Sequence, residues 1–179
     1  MTDLVPTKNI SVLFEVVDTA PSETVEIDGV NYQRSLKNMK KGIFLSIKPE
    51  FTKKIETGEK NYEFRKYIPK EKFDILFVYE TVPTCSLKYI LTIDKIIEYP
   101  NKINEQGYGN DDFNNGLKKS KFAYHILKVE KLDNPISLKE LKDKFGFTAP
   151  QSYAYDLRYP ELVNYINTLS KKVVIDNEV

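Results

Sequence analysis

The chain has 179 residues, with 27 basic and 26 acidic side chains, one cysteine, one histidine and no tryptophan. This length favours one domain with an appendage over two full domains. A lone cysteine excludes an internal disulfide framework, and one cysteine with one histidine excludes an ordinary structural zinc site. The net charge of +1 argues against a general electrostatic nucleic-acid binder, although it leaves room for a local basic groove.

The first 38 residues differ in pattern from the rest, and we expect them to form an N-terminal extension. Residues 23–27 (ETVEI) and 30–34 (VNYQR) flank Asp28-Gly29. An Asp-Gly pair between alternating segments predicts a β-hairpin, because both turn positions need a positive φ. The N-terminus lacks the basic leader and apolar stretch of a signal peptide, and no apolar run is long enough to cross a bilayer. We therefore expect a soluble, cytoplasmic protein that binds no membrane.

Residues 39–179 show a mixed α/β pattern and are expected to form one domain. Residues 42–47 (GIFLSI) predict a strand, and Pro49 begins a helix because proline and the following acid are favoured in a first turn. Gly58 supplies a left-handed stop for that helix. Alternating or continuous apolar segments predict further strands at 61–65, 73–80, 88–97 and 122–132.

The second half of the chain adds one long polar segment and two helices. Residues 99–119, rich in Asn, Gly and Asp, predict a polar excursion with a short helix, which is a candidate mobile flap. Ser137 and Glu140 form a capping box that predicts a helix, and Pro160 begins a C-terminal one. Five or six short strands with a few helices predict the α+β class, with a compact barrel-like sheet.

Motifs for common cofactor and hydrolase chemistry are missing from this sequence. There is no Gly-rich phosphate loop and no GxSxG nucleophile elbow, and one histidine cannot form a two-histidine metal motif. Cys85 and His125 lie forty residues apart with no orienting partner in sequence, so structural roles are favoured over a nucleophile pair. We expect no cofactor and no metal.

A cluster of opposite charges stands out just after the first helix. Strand parity places Glu63 and Arg65 on one face, with Tyr62 and Phe64 on the other, and Lys60 lies at the mouth of the strand. Arginine offers a rigid fork of donors, a carboxylate accepts from an exocyclic amine, and lysine adds a steerable cation, which together suit a small planar polar ligand. The alternative is a solvated strand face with an ordinary ion pair, which is common in proteins.

Residues 45–66 (LSIKPEFTKKIETGEKNYEFRK) closely resemble the signature of the ASCH family, a branch of the PUA-like superfamily. In that family a strand, a Lys-Pro helix start, a Gly-x-Lys turn and a Glu-x-Arg strand follow in this order. Residues 147–155 (FTAPQSYAY) resemble its Pro-Gln-Ser-aromatic segment. The resemblance covers about residues 40–158. It implies a PUA-like mixed β-barrel with flanking helices and a cleft beside the helix that precedes Gly58.

The resemblance also implies a binding function for that cleft, because PUA-like folds generally bind RNA or modified bases. Glutamine and serine would read base edges, and Tyr153 would stack on a ring. The alternative for residues 150–155 is a plain turn whose tyrosines fill the core. Mapped onto this sequence, the ligand-binding residues are Lys48, Lys60, Glu63, Arg65, Gln151, Ser152 and Tyr153.

Two other functions stay open at this stage. Some ASCH proteins resemble small metal-independent amidohydrolases that act on N4-acetylcytidine, and others are linked to RNA cleavage. In an amidohydrolase Lys60 would match a catalytic lysine, whereas Glu63 replaces a threonine and would have to act as a general base. Glu98 and Glu105 are candidates for a third residue. The remaining option is a regulatory protein-interaction module with the N-terminal hairpin as its partner surface.

Overall fold

A computed structural model describes residues 22–35 and 40–178 of the chain. Contacts between residues separate the hairpin from a unit that begins at Lys40, and the two are described separately. The other residues of the predicted N-terminal extension lie outside the described part of the chain.

The hairpin consists of strands β1 (Ser22–Ile27) and β2 (Val30–Ser35), which pair antiparallel. Asp28 has a φ of 50° and Gly29 a φ of 78°. Two consecutive positive φ angles are what a tight two-residue turn requires, and Asp and Gly tolerate them better than other residues. The hairpin prediction is confirmed.

The second unit is built on one curled mixed sheet that forms a half-barrel. The strands are β3 (Gly42–Ile47), β4 (Tyr62–Arg65), β5 (Ile75–Glu80), β6 (Ser86–Glu98), β7 (Phe122–Ser137), β8 (Ala154–Tyr155) and β9 (Lys171–Asp176). Their order is β4-β7-β6-β5-β3-β8, and β9 pairs with β7. Strands β3 and β5 are parallel, and the other pairs are antiparallel. Register shifts along the β6–β7 pair mark bulges, which increase twist and allow a sheet to curl.

Four α-helices accompany the sheet in the described residues, so the predicted α+β class is confirmed. They are α1 (Pro49–Glu56), α2 (Asn110–Asn114), α3 (Leu138–Phe145) and α4 (Pro160–Thr168). Half of the predicted capping box is present, since the Ser137 hydroxyl accepts from the Glu140 amide at 3.2 Å, whereas the Glu140 carboxylate pairs with Lys144 at 2.8 Å. Gly58 takes its left-handed conformation at φ 78°. None of these helices is long and apolar enough to span a membrane.

The main core lies between the sheet and the two C-terminal helices. Phe44 and Phe77 stack at 4.9 Å between ring centroids, and Phe147 packs edge-on to Phe44. Leu141 from α3 and Leu162 from α4 are fully buried in the same cluster. This packing fixes the segment between α3 and α4, which includes residues 147–155.

Two short strands were not predicted from the sequence. Strand β8 has only two residues, and a segment of that length carries no alternation that could be read. Strand β9 contains the sequence KKVVID, and most of its side chains are exposed or half-buried because it pairs along one edge of β7. Both strands form because an unpaired edge of another strand is available, β3 for β8 and β7 for β9. That edge exists only in the tertiary structure.

The segment 99–119 is packed, which corrects the expectation of a mobile flap. Phe113 is fully buried beside Tyr62 and Ile103 in a second small core. The Asn114 side chain accepts from the Ile103 amide at 2.7 Å and donates to the Ile103 carbonyl at 2.8 Å. The predicted short helix is present as α2, and it carries Phe113 into this core.

Candidate ligand pocket

A pocket of about 280 Å³ lies where the end of β4 approaches the segment before β8. This volume is slightly below the range of about 300–1,000 Å³ that small-molecule sites occupy. The pocket is lined by Leu45, Phe64, Arg65, Lys66, Tyr67, Ser120, Tyr124, Gln151, Ser152 and Tyr153.

The curl of the sheet explains why residues so distant in sequence meet here. Strands β4 and β8 are at opposite ends of the strand order, yet Arg65 of β4 donates from Nη2 to the Ser46 carbonyl of β3 at 3.1 Å. Ser46 in turn donates from its hydroxyl to the Pro150 carbonyl at 2.6 Å, which holds the start of the 150–153 segment. The pocket therefore lies at the seam where the two sheet edges approach each other.

Arg65 is the best-fixed charged group on the pocket wall. Its Nε lies 3.0 Å from Oε1 of Glu63, and its side chain is 19% exposed. Together with the bond to Ser46, these contacts engage Nε and Nη2 of the guanidinium. A planar cation held on two sides loses little conformational freedom when it binds a ligand.

Lys60 and Glu63 form a buried ion pair behind Arg65 and are not among the residues that line the pocket. Lys60 Nζ lies 3.1 Å from Oε2 of Glu63, and the two side chains are 5% and 9% exposed. Lys60 also donates to the Tyr62 carbonyl and lies 4.6 Å from the centre of the Phe64 ring. Of the three charged groups expected to face one cleft, Arg65 lines this pocket, whereas Lys60 and Glu63 do not.

The pKa shifts of this pair follow from burial and from the neighbouring charges. Burial lowers the pKa of Lys60, and the opposing effect of Glu63 does not fully offset it. Burial alone would raise the pKa of Glu63, but the charges of Lys60 and Arg65 outweigh burial and lower it. Glu63 therefore stays ionised at neutral pH and acts as the anchor for Arg65.

The other residues predicted for the cleft divide into two groups. Gln151, Ser152 and Tyr153 line the pocket together with Arg65, and the Tyr153 ring packs edge-on to Tyr155 at 5.3 Å between centroids. Lys48 does not line it. Lys48 is exposed at the start of α1, where its carbonyl accepts from the amides of the first helical turn.

Several pocket residues were not predicted. Ser120 comes from the polar segment before β7, and Tyr124 from β7 itself. Burial raises the pKa of Tyr124, and its hydroxyl donates to the Tyr67 carbonyl at 2.8 Å. Tyr67 lies two residues after the predicted Arg65 and could have been included on that ground. Ser120 and Tyr124 had no comparable signal, since only the pairing of β4 with β7 brings them near.

The electrostatic character of the pocket is cationic. Its charged lining residues are Arg65 and Lys66, and no carboxylate is among the residues that line it. Gln151 and Ser152 add neutral donors and acceptors, and the aromatic rings add flat apolar surface. This combination suits a planar ligand that carries negative charge or carbonyl oxygens.

The other candidate groups lie away from the pocket. His125 Nδ1 lies 2.5 Å from Asp94, and its ring packs on Tyr62 at 4.9 Å between centroids, which is a structural role. Glu105 accepts from the Tyr62 hydroxyl at 3.0 Å and pairs with Lys95 at 2.7 Å. Across residues 22–35 and 40–178 no group of three or more His, Cys, Asp or Glu side chains is arranged to hold a metal ion.

Comparison with known proteins supports the fold through solved structures alone. No family model and no curated protein matches the chain. The crystal structure of ASCH from Zymomonas mobilis is 25% identical over 72% of this chain and 96% of that chain, with a TM-score of 0.54. A tyrosine-to-phenylalanine mutant of that protein is 23% identical over 73% of this chain and 100% of that chain, with a TM-score of 0.58. A serine-to-alanine mutant gives 23% identity, 73% and 98% coverage and a TM-score of 0.55. The chain therefore has an ASCH-like fold, which is a PUA-like architecture, as its motifs at 45–66 and 147–155 predicted.

Proposed function

We propose that this protein is a binding module whose pocket accepts one unpaired nucleotide of RNA or a modified nucleobase. The observation that carries the proposal is Arg65, held rigidly by Glu63 and Ser46 on the wall of a pocket of about 280 Å³. Gln151, Ser152 and Tyr153 share that wall. A fixed guanidinium beside an amide, a hydroxyl and an aromatic ring is the chemistry that recognises a base edge and stacks its face.

Each side chain has a definite role in this proposal. Arg65 donates to a carbonyl or phosphate oxygen, and Gln151 can both donate to and accept from the edge of a base. Tyr153 stacks on the heterocycle, a contact worth about 1–3 kcal/mol per base in other proteins. The exposed Lys66 also lines the pocket, and in this proposal it pairs with a phosphate. The carboxylate-free lining supports an anionic ligand, since no acid there would repel it.

The buried Lys60–Glu63 pair supports the same function indirectly. Moving two charges out of water costs desolvation energy, and the attraction between them offsets only part of that cost. A buried ion pair is therefore weak evidence for a gain in stability. Here the pair leaves one carboxylate oxygen for Arg65. We assign Glu63 the role of a positioning residue and Lys60 the role of keeping Glu63 ionised.

Hydrolysis by Lys60 and Glu63 gains no support from this geometry. A general base must reach the group that it deprotonates, and both oxygens of Glu63 are occupied by cations behind the pocket wall. A protein-interaction role for the N-terminal hairpin stays a prediction.

The proposal is tested by titrating the full chain with nucleoside monophosphates and with short unstructured RNA at low salt. Arg65→Gln should weaken binding about 10- to 100-fold, because a hydrogen bond to a charged group contributes about 1.5–3 kcal/mol. Lys142→Gln, which removes the same charge from an exposed position on α3, is the matched control and should bind as the wild type does. Absence of binding to every nucleotide and RNA, or equal binding by the two variants, would contradict the proposal.

A further inference from the structure

Two segments of chain meet at the side of the pocket and carry an unusual charge pattern. Residues 65–68 (RKYI) begin at the last residue of β4, and residues 117–121 (LKKSK) precede β7. They are joined where the Lys121 amide donates to the Arg65 carbonyl at 3.0 Å. Neither segment contains an acidic residue. We call the four lysines of these segments, Lys66, Lys118, Lys119 and Lys121, the basic rim.

The basic rim is continuous with the pocket. Lys66 and Ser120 both line it, and Lys118 Nζ lies 4.6 Å from the centre of the Phe64 ring, which is another lining residue. Lys66, Lys119 and Lys121 are exposed, and Lys118 is half-buried. Within the described part of the chain none of the four forms an ion pair with an acid.

The charge of the remaining chain makes the rim electrostatically distinct. Residues 40–179, which contain the pocket, have 24 basic and 20 acidic side chains, a net charge of +4. Without Arg65 and the four rim lysines this net charge would be −1, so these five cations account for the positive charge of the unit and favour binding of a polyanion at the rim. Tyr67, which is 69% exposed, and Ile68, which is 42% exposed, add apolar surface between the cations. Alternation of cations with an exposed aromatic ring is typical of surfaces that bind single-stranded nucleic acid.

Resting on the proposed function, we infer that the ligand is a single-stranded polynucleotide rather than a free nucleoside. One unpaired base enters the pocket at Arg65, and the phosphates of the neighbouring nucleotides lie against the basic rim. Tyr67 stacks on a base next to the one in the pocket. A free nucleoside carries no phosphate and would leave the rim lysines without a ligand. A duplex would present no unpaired base to the pocket.

The test measures affinity against RNA length and salt, using unstructured single-stranded RNA of one, two, four and eight nucleotides. Contact with three or four phosphates should give a slope of log K against log salt of about −2 to −3 for the octamer, at about 0.7 per phosphate. Affinity should rise with length up to about four nucleotides. A duplex RNA of eight base pairs should bind at least about 10-fold more weakly than the octamer.

Variants of the exposed rim lysines separate this inference from the proposed function. Lys119→Gln/Lys121→Gln should reduce the magnitude of the salt slope by about 1.4 and leave mononucleotide affinity unchanged. The matched control Lys142→Gln/Lys172→Gln removes two exposed charges elsewhere and should leave both quantities unchanged.

Two results distinguish the possible failures. If the octamer binds no tighter than the mononucleotide and the rim variant behaves as the wild type does, the inference about the basic rim is overturned. The proposed binding of one nucleotide in the pocket is then unaffected. If the octamer binds through the rim but Arg65→Gln has no effect on any ligand, the proposed function fails instead. Duplex RNA that binds as tightly as the octamer overturns the assignment to single strands.

Discussion

At the scale of the residue, the decisive feature is the line of charges from Lys60 through Glu63 to Arg65. The first two are buried and paired, and the third reaches the pocket. Strand parity placed Glu63 and Arg65 on one charged face, yet the Glu63 side chain is buried whereas Arg65 lines the pocket. Glu63 has one oxygen for each cation, so changing it affects both the buried lysine and the arginine on the pocket wall.

Glu63→Gln should lower the free energy of unfolding by about 3–5 kcal/mol, because it leaves Lys60 as a buried cation without its anion. The same change should weaken nucleotide binding about 10-fold, since Arg65 loses a contact that fixes its orientation. Urea unfolding and nucleotide titration measure the two effects.

The double variant Lys60→Met/Glu63→Gln separates positioning from stability. Removing both charges should recover most of the lost stability, since an apolar side chain of similar length replaces the unpaired cation. Binding should stay weak, because Arg65 still lacks its carboxylate. Recovery of binding together with stability would show that Glu63 serves only to keep the protein folded.

At the scale of the element, the segment 99–119 shows how a polar loop becomes part of the structure. Asparagine side chains replace strand pairing there, since Asn110 donates to Asn61 at 3.0 Å and Asn61 donates to the Gln106 carbonyl at 3.0 Å. Gly107 lies against this pair so closely that a Cβ would approach Asn61 Oδ1 to 2.1 Å. The Phe113 ring of α2 also lies 5.5 Å from that of Phe64, which connects the segment to a pocket residue.

Gly107→Ala should destabilise the protein by about 1–3 kcal/mol, because the new methyl group must displace the bonded Asn61–Asn110 pair. Hydrogen exchange should accelerate at the Tyr108 amide, which donates to the Glu59 carbonyl at 2.8 Å. Asn115→Ala, at an exposed position of the same segment, is the control and should change stability by less than about 0.5 kcal/mol. Unchanged exchange in Gly107→Ala would refute the assigned contact.

At the scale of the whole molecule, ionised carboxylates connect several elements of the second unit. Glu56 of α1 accepts from the Tyr89 hydroxyl of β6 at 2.5 Å and from Lys131 of β7 at 2.8 Å. Hydrogen bonds from these two groups lower the pKa of Glu56. Glu80, which is 3% exposed, accepts from Thr52 of α1 and from Lys88, and these bonds outweigh burial to lower its pKa. These contacts hold α1 against the sheet.

Stability should therefore fall in acid. The pKa values of Glu56, Glu63 and Glu80 lie below the unfolded value of 4.5, and the bond from Lys95 lowers that of Glu105 to about 2. The unfolded chain then binds protons at a higher pH than the folded chain does, so falling pH favours unfolding. The stabilisation is fully present above about pH 5 and is lost as the pH falls toward 2.

Urea unfolding at pH 7, 5, 4 and 3 measures this dependence. The midpoint should change little from pH 7 to 5 and decrease steeply below pH 4. Glu80→Gln should flatten the acid side of the profile, whereas Glu161→Gln, at an exposed position on α4, should leave its shape unchanged. A midpoint that does not depend on pH between 5 and 3 would contradict the assigned carboxylate contacts.

The sequence alone determined the features that depend on a few neighbouring residues. The Asp28-Gly29 turn, the proline start of α1, the Ser137 cap and the α+β class were predicted, because backbone sterics and capping bonds act within about four residues. The family motifs also identified Arg65 and residues 151–153, four of the residues that line the pocket. That residues 1–38 form a separate extension stays a prediction.

Tertiary structure decided which of the charged residues line the pocket. Whether the Glu63 carboxylate faces the pocket or the buried Lys60 depends on how far the sheet curls. The alternation of side chains along a strand does not indicate how deeply each one is buried. The addition of Ser120 and Tyr124 to the pocket follows from the pairing of β4 with β7, and the closeness of Arg65 to Ser46 follows from the approach of two sheet edges. Such long-range contacts are set by packing of the whole sheet, so no local pattern specifies them.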